Sequence, residues 1–275
     1  MSTTTLTPEA LSYVCTLVRQ RSAIELDAQK AYLIEARLNP LAKRYGYPST
    51  GEMLRTLQLM PRQEVLQQLV EAMTTNETSF FRDAHPFQAL KSTIVPEMLQ
   101  THANERTLNI WSAACSTGQE AYSIAMLLCD TFPALSSWKV QILGTDLSDN
   151  VLEKARAARF SQIEINRGLP AALLAKHFRR DGMHWELNPT LKALTSFRKL
   201  NLIETWPSMP TMDIVFLRNV LIYFSPETKR AILEKVRRVM APHAVLFLGA
   251  AETTMGLDAS FERVQVENSV FYRLK

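Results

Sequence analysis

From Leu108 onward the chain alternates short apolar runs with amphipathic stretches, and this alternation restricts its fold more than any other feature. The segment "TLNIWSAACS" is a short apolar run ending in small residues. "GQEAYSIAMLLCD" has helical spacing, "WKVQILGTD" is a second buried run, and "SDNVLEKARAA" is a second helix. Further on, "MDIVFLRN" is strand-like, "SPETKRAILEKVRRVM" is a capped amphipathic helix, and "HAVLFLGA" is another strand. Strands that alternate with helices are joined by crossovers, so the expected class is α/β with a doubly wound parallel sheet. The tail "FERVQVENSVFYRLK" reads as two strands with a turn at Glu267-Asn268-Ser269, an antiparallel hairpin at the sheet edge.

The first part of the chain has a different texture. Thr7 followed by Pro8 is an N-cap with proline at the first helical position. Leu11, Val14, Cys15, Leu17 and Val18 then recur with the helical period. Similar segments, broken at Gly46, Pro48, Gly51 and Pro61, suggest about four helices. The expected organisation is an N-terminal all-α domain over residues 1–75 and a linker with the first catalytic-domain helix over 76–106. The α/β domain follows over 107–275. Turn signals at Arg167-Gly168-Leu169-Pro170 and Asp181-Gly182, with strand-like "HWEL" and "TSFRKL", mark a small inserted β-subdomain over 159–200.

Composition excludes several classes. A chain of 275 residues, 47% hydrophobic and 21% charged, can bury a large core. No apolar run approaches the roughly 20 residues of a membrane span, and the N-terminus lacks the pattern of a signal peptide, so a cytoplasmic protein without membrane insertion is expected. Cys15, Cys115 and Cys129 are widely spaced, with no CxxC pair, and the few histidines show no ligand spacing. Neither a disulfide framework nor a metal is expected. The net charge of +4 falls short of a nucleic-acid binder and suits an acidic protein partner.

In an open α/β sheet, ligands sit beyond the carboxyl ends of the strands. The first strand leads into Ala113, Ala114, Ser116 and Gly118, small residues that let backbone approach a ligand, and no GxGxxG fingerprint is present. The second strand ends at Asp146, whose carboxylate can accept from vicinal ribose hydroxyls or cap the helix beginning near Ser148.

The segments "TNETSFFRD", "WSAACSTGQEAYSIAM", "GTDLSDNVLEKA" and "DIVFLRNVLIYF" resemble, in order and spacing, the signature segments of the CheR-type chemoreceptor methyltransferases. The resemblance covers essentially the whole chain. It implies a Rossmann-like methyltransferase sheet and S-adenosylmethionine as cofactor, with S-adenosylhomocysteine as product. The implied activity is methyl transfer to glutamate side chains on the cytoplasmic methylation helices of bacterial chemoreceptors. It assigns Asp146 to the ribose, Glu120 to the ligand face of the helix after the first strand, and Asn201 with Leu202 to the adenine. Arg218 and Asn219 fall at the carboxyl end of their strand in the same site. Asn76 and Thr78 would meet the cofactor, and Phe80 with Phe81 would anchor their segment in apolar surroundings.

Because a glutamate is already ionised at neutral pH, the reaction needs no general base. Arg82, through its bidentate fork, and Tyr223 are the candidates for orienting the carboxylate, and Arg82 has a second possible task at the methionine carboxylate of the cofactor. The resemblance also implies a basic docking face. Lys30, Arg37, Lys43 and Arg44 supply one, with Lys30, Arg37 and Arg44 spaced by seven on one helical stripe, unless Pro40 breaks its phase. The short loop in "FRRDGMHWEL" argues against tethering to a C-terminal receptor peptide. Two competing readings are a methyltransferase of nucleic acid or small molecules and an adaptor that binds without turnover.

Overall fold

The structure is a computed structural model that describes residues 6–27, 29 and 31–275. It divides into two compact units. The first comprises the chain up to Thr75 with Tyr223–Thr228, and the second comprises Asn76–Ile222 with Lys229–Lys275.

The first unit is helical: α1 (Pro8–Ser22), α2 (Ala31–Arg44), α3 (Thr50–Leu59) and α4 (Gln63–Met73). Thr7 caps α1, its hydroxyl oxygen accepting from Ala10 N at 3.2 Å, and Ser49 caps α3, accepting from Glu52 N at 3.1 Å. Each cap satisfies one of the N–H groups that a helix start leaves unpaired. Val14, Leu17 and Val18 of α1, Ile34, Leu38 and Leu41 of α2, Met53, Leu54 and Leu57 of α3, and Val65, Leu66, Leu69 and Val70 of α4 are buried. These are stripes of three- and four-residue spacing that close on one core. Helix α2 continues through Pro40, so Arg37 and Arg44 keep one helical phase.

The second unit carries a seven-stranded sheet in the order β6-β2-β1-β7-β8-β10-β9. Its parallel part consists of β1 (Thr107–Ala113), β2 (Lys139–Asp146), β6 (Thr195–Lys199), β7 (Met212–Leu217) and β8 (Met240–Leu248). Two antiparallel strands, β9 (Phe261–Val266) and β10 (Ser269–Leu274), complete it. All six residues of β7 are buried, as expected of a strand covered on both faces. Preceding the sheet, α5 (Ala84–Ala89) runs through a π-turn at Leu90–Ile94 into α6 (Val95–Thr101). The helices α7 (Gln119–Thr131), α8 (Asp149–Ala157) and α12 (Pro226–Val239) serve the crossovers, with the first residues of α12 belonging to the first unit.

The insertion is a three-stranded antiparallel sheet in the order β3-β5-β4, built from β3 (Arg159–Ser161), β4 (Phe178–Asp181) and β5 (His184–Leu187). Three short helices accompany it, α9 (Gln162–Asn166), α10 (Ala171–His177) and α11 (Pro189–Lys192). The strand-like "TSFRKL" does not belong there. It is β6, which pairs with β2 of the large sheet from Ile142↔Thr195 to Asp146↔Lys199. The physical reason is the Phe197 ring, which lies over Gly144 so closely that a Cβ at Gly144 would stand 2.5 Å from it.

Phe80 joins the insertion to the segment before α5. It is fully buried, edge-on to Phe160 at 5.0 Å and to Phe178 at 5.8 Å. Its N–H donates to the carbonyl of Arg167 at 3.1 Å. Gly168, at φ +91°, leaves the space its carbonyl needs, since a Cβ there would come within 2.1 Å of Phe80 O.

Candidate active site

In the large sheet, β1 is the switch point, with β2 on one side and β7 on the other. Ala113 pairs with Thr145 of β2 and with Leu217 of β7, so Ala114, Asp146 and Arg218 leave the sheet at one level. Strand spacing then sets Asp146 and Arg218 on the order of 10 Å apart across the carboxyl edge. The loop from β1 to α7 turns through left-handed residues, Ala114 (φ 53°), Ser116 (φ 51°) and Gly118 (φ 92°). Its N–H groups are spent within the protein: Cys115 N donates to Thr145 O at 2.9 Å, Ser116 N to Asp146 Oδ2 at 2.9 Å and Gly118 N to Cys115 O at 3.0 Å, which fixes the path of the loop.

Asp146 binds two loops together. Its Oδ2 accepts from Ser116 N at 2.9 Å and its Oδ1 from Ser148 N at 3.1 Å, so the carboxylate both starts α8 and holds the β1–α7 loop. Ser116 in turn donates its hydroxyl to the carbonyl of Asn76 at 2.9 Å, which brings the 76–83 segment to the same place. Leu200 N donates to Asp146 O at 2.9 Å and so sets Asn201 and Leu202 beside this edge. Asn201 closes its own turn, its Oδ1 accepting from Ile203 N, and Leu202 is buried.

A second cluster centres on Arg218, whose side chain is 2% exposed. It donates to Glu120 Oε2 at 2.9 Å, to Asp83 Oδ2 at 2.8 Å and to the carbonyl of Arg82 at 2.8 Å. Ser112, on β1, donates to the other Glu120 oxygen at 2.7 Å. Two carboxylates thus share one guanidinium, leaving the cluster with an excess of negative charge. The Arg218 Nε, like that of Arg273, is a buried donor with no hydrogen-bond partner; at Arg218 it lies within the charged cluster and can take an acceptor. Between the clusters lies Cys115, whose thiol is pushed well up by burial and further by the charges of Asp146 and Glu120. It is therefore a neutral wall of the site and no nucleophile.

Asn219 takes a left-handed conformation (φ 58°) held by Glu252. That carboxylate accepts from the backbone N–H groups of Asn219, Val220, Ile222 and Gly249. Sequence reasoning passed over Glu252, Asp83 and Ser112. Glu252 offered one signal, an acid just beyond the carboxyl end of a strand.

Thr78 is half-buried on the same segment as Asn76. The segment is a loop with a turn at Phe80-Phe81. Phe81 donates its N–H to Ser123 Oγ at 2.9 Å, and Glu77 pairs with Arg167 at 2.6 Å. The guanidinium of Arg82 folds back on this loop, donating to Glu77 O at 3.0 Å. Tyr223 belongs to the first unit, where its carbonyl accepts from Glu25 N at 3.2 Å.

On α2, Arg37 donates to the carbonyls of Met73 and Thr74, at 3.0 and 3.3 Å, and Arg44 to Gln68 at 3.1 Å. The arginine stripe therefore latches α4 as well as facing solvent, and Lys43 is the exposed charge beside it. Lys30 lies outside the described residues.

Residues 76–270 match the family described as CheR methyltransferase, SAM binding domain, and residues 9–74 match CheR methyltransferase, all-alpha domain. Chemotaxis protein methyltransferase Cher2 of Pseudomonas putida is 40% identical over 257 residues, covering 92% of this chain and 93% of its own. Chemotaxis protein methyltransferase 1 of Pseudomonas aeruginosa has the same identity, 40%, and the same coverage, 92% and 93%. The chemotaxis protein methyltransferase of Vibrio parahaemolyticus is 38% identical, covering 94% of each chain.

Proposed function

The chain belongs to the CheR methyltransferase family and is an S-adenosylmethionine-dependent enzyme, and we propose that it esterifies glutamate side chains on the cytoplasmic methylation helices of bacterial chemoreceptors. The observation that carries this reading is the Arg218 cluster, with its two carboxylates and its orphaned buried Nε at the carboxyl edge of the sheet. An excess of negative charge there fits a ligand bearing a sulfonium and an ammonium group, while the buried Nε awaits an acceptor such as the ligand's carboxylate. Asp146, Asn201 and Leu202 hold the nucleoside end in this reading, and Asn76, Thr78 and Asn219 complete the walls.

When bound, S-adenosylmethionine supplies an electrophilic methyl group whose sulfur leaves as the neutral thioether of S-adenosylhomocysteine. The residues of this chain bind, orient and exclude water. No proton has to move, because the attacking glutamate oxygen is already ionised. Arg82, released from Glu77 O, is the group assigned to hold that carboxylate in line, a task of positioning rather than acid–base catalysis. Arg218 and Ser112 keep Glu120 in one orientation, so its charge is set before the ligand arrives.

The target class is tested by incubating the protein with methyl-labelled cofactor and receptor cytoplasmic fragments, followed by mild alkali. Volatile labelled methanol is the expected result, because carboxyl esters hydrolyse. Alkali-stable label would assign the enzyme to N- or C-methylation, and absence of label would remove receptor glutamates as its target.

Docking is assigned to the basic face of α2. Lys43→Glu is expected to lower receptor methylation several-fold, more so at low salt, with cofactor affinity by calorimetry unchanged. Arg37 and Arg44 make poorer probes, because each also latches α4. Equal rates for Lys43→Glu and wild type at low salt would remove α2 as the docking face. The β4–β5 hairpin closes with only Gly182 and Met183 between the paired residues Asp181 and His184. This tight closure supports action without a C-terminal receptor tether. None of the described helices is long and apolar enough to cross a membrane.

A further inference from the structure

On the opposite, amino-terminal edge of the large sheet, three side chains from separate elements converge. His102 follows α6, Asp213 is the second residue of β7, and His243 lies on β8. Along β7, Asp213 and Arg218 are separated by roughly 17 Å of extended chain, so this cluster is remote from the methyl-transfer site. The Nε2 atoms of His102 and His243 stand 2.7 Å apart, His243 Nε2 is 3.0 Å from Asp213 Oδ1, and His102 Nε2 is 3.5 Å from the same oxygen.

The surrounding hydrogen bonds orient all three groups inward. Thr101 donates its hydroxyl proton to Glu97 O, so its oxygen accepts from His102 Nδ1 at 2.9 Å. That places the His102 proton on Nδ1 and leaves the Nε2 lone pair facing the cluster. Asp213 Oδ2 accepts from Asn109 N at 2.7 Å, which turns Oδ1 towards the two rings. His102 and Asp213 are buried, whereas the His243 side chain is 44% exposed. Hydrogen bonds that fix the tautomer of one histidine and the rotation of the carboxylate are the usual support of a metal ligand set.

We propose that His102, Asp213 and His243 form a binding site for a borderline divalent cation of the zinc class. Two imidazole nitrogens and one carboxylate oxygen are donors of the type zinc takes. In a tetrahedron with bonds of about 2.0–2.1 Å, any two ligand atoms lie about 3.3 Å apart, and the three separations of the cluster bracket that value. The triangle faces an open cavity of about 380 Å³ lined also by Glu105, Asn109 and Thr211, which leaves room for a solvent ligand. Without metal, one proton on His243 Nε2 is shared between His102 Nε2 and Asp213 Oδ1. With metal, that proton moves to the Nδ1 of His243, and three lone pairs meet the ion. The ion ties the end of α6 to β7 and β8, a stabilising role separate from methyl transfer.

The sequence expectation of no metal rested on local spacing. His102 and His243 are 141 residues apart, and Asp213 and His243 are 30 apart, so no motif announces them.

The test uses the full chain stripped with chelator and titrated calorimetrically with zinc chloride, then with cobalt(II) to read the visible bands of a tetrahedral site. A single saturable site is expected, with a raised midpoint of thermal unfolding. His243→Ala, at a part-exposed position, and His102→Gln should each weaken zinc binding by at least about tenfold and abolish the thermal shift. Failure of the wild-type chain to take up zinc would reduce the cluster to a hydrogen-bonded triad. Wild-type affinity in His243→Ala would place the metal elsewhere. Either outcome overturns the proposal.

Discussion

Replacing Asp146 with alanine is expected to weaken S-adenosylmethionine binding by about 100-fold. Its two oxygens accept the backbone N–H groups of Ser116 and Ser148. Removing an acceptor from a buried donor costs about 1–3 kcal/mol, and here two donors lose theirs at once. The loop carrying Ser116, and with it the link to Asn76, is released from the edge of the sheet. Any hydrogen bonds to the ribose hydroxyls are lost in the same change. Asp146→Asn separates these effects, because it keeps the shape and one carbonyl acceptor but removes the charge; it should weaken binding by roughly tenfold. Calorimetric titration checks both. Affinity within twofold of wild type in Asp146→Ala would remove this residue from the site.

Arg218→Met is expected to destabilise the second unit as well as abolish measurable cofactor binding. The guanidinium is the counter-charge of Glu120 and Asp83 and also holds the carbonyl of Arg82. Taking it away leaves Glu120, itself only 14% exposed, without its counter-charge and with the Ser112 hydroxyl as its remaining side-chain donor. Breaking such a pair costs about 3 kcal/mol or more, on the order of a 5–10 °C drop in unfolding temperature for a unit of this size. The double variant Glu120→Gln with Arg218→Met removes the stranded charge and should recover much of that loss, while binding stays absent. A double variant that recovers binding together with stability would show that the cluster serves the fold alone.

The segment 76–83 illustrates what a sequence can and cannot say. Its mixture of polar residues with two phenylalanines pointed to a wall between core and ligand, and the burial of Phe80 against Phe160 and Phe178 accounts for the apolar part. The sequence assigned a carboxylate to the Arg82 side chain; in the structure its carbonyl accepts from Arg218 and its guanidinium donates to Glu77 O. Residue type suggested the chemistry, but the direction of the side chain depends on neighbours far away in the chain. The same holds for β6, whose strand character was legible while its sheet was not. A strand pattern encodes two faces, and the partner is set by which neighbour offers a complementary surface, here the Gly144 recess for Phe197.

The α/β class, the helical N-terminal part and the strand ends at Asp146 and Arg218 follow from local information. Periodicity, caps and small residues after a strand are properties of a few consecutive positions. The pairing of Arg218 with Asp83 across 135 residues, the grip of Glu252 on the Asn219 turn, the latching of α4 by Arg37, and the convergence of His102, Asp213 and His243 were decided only by the tertiary structure. These contacts join residues whose separation in sequence carries no signal, because buried charges and unpaired backbone groups take whatever partner the packed sheet brings within reach.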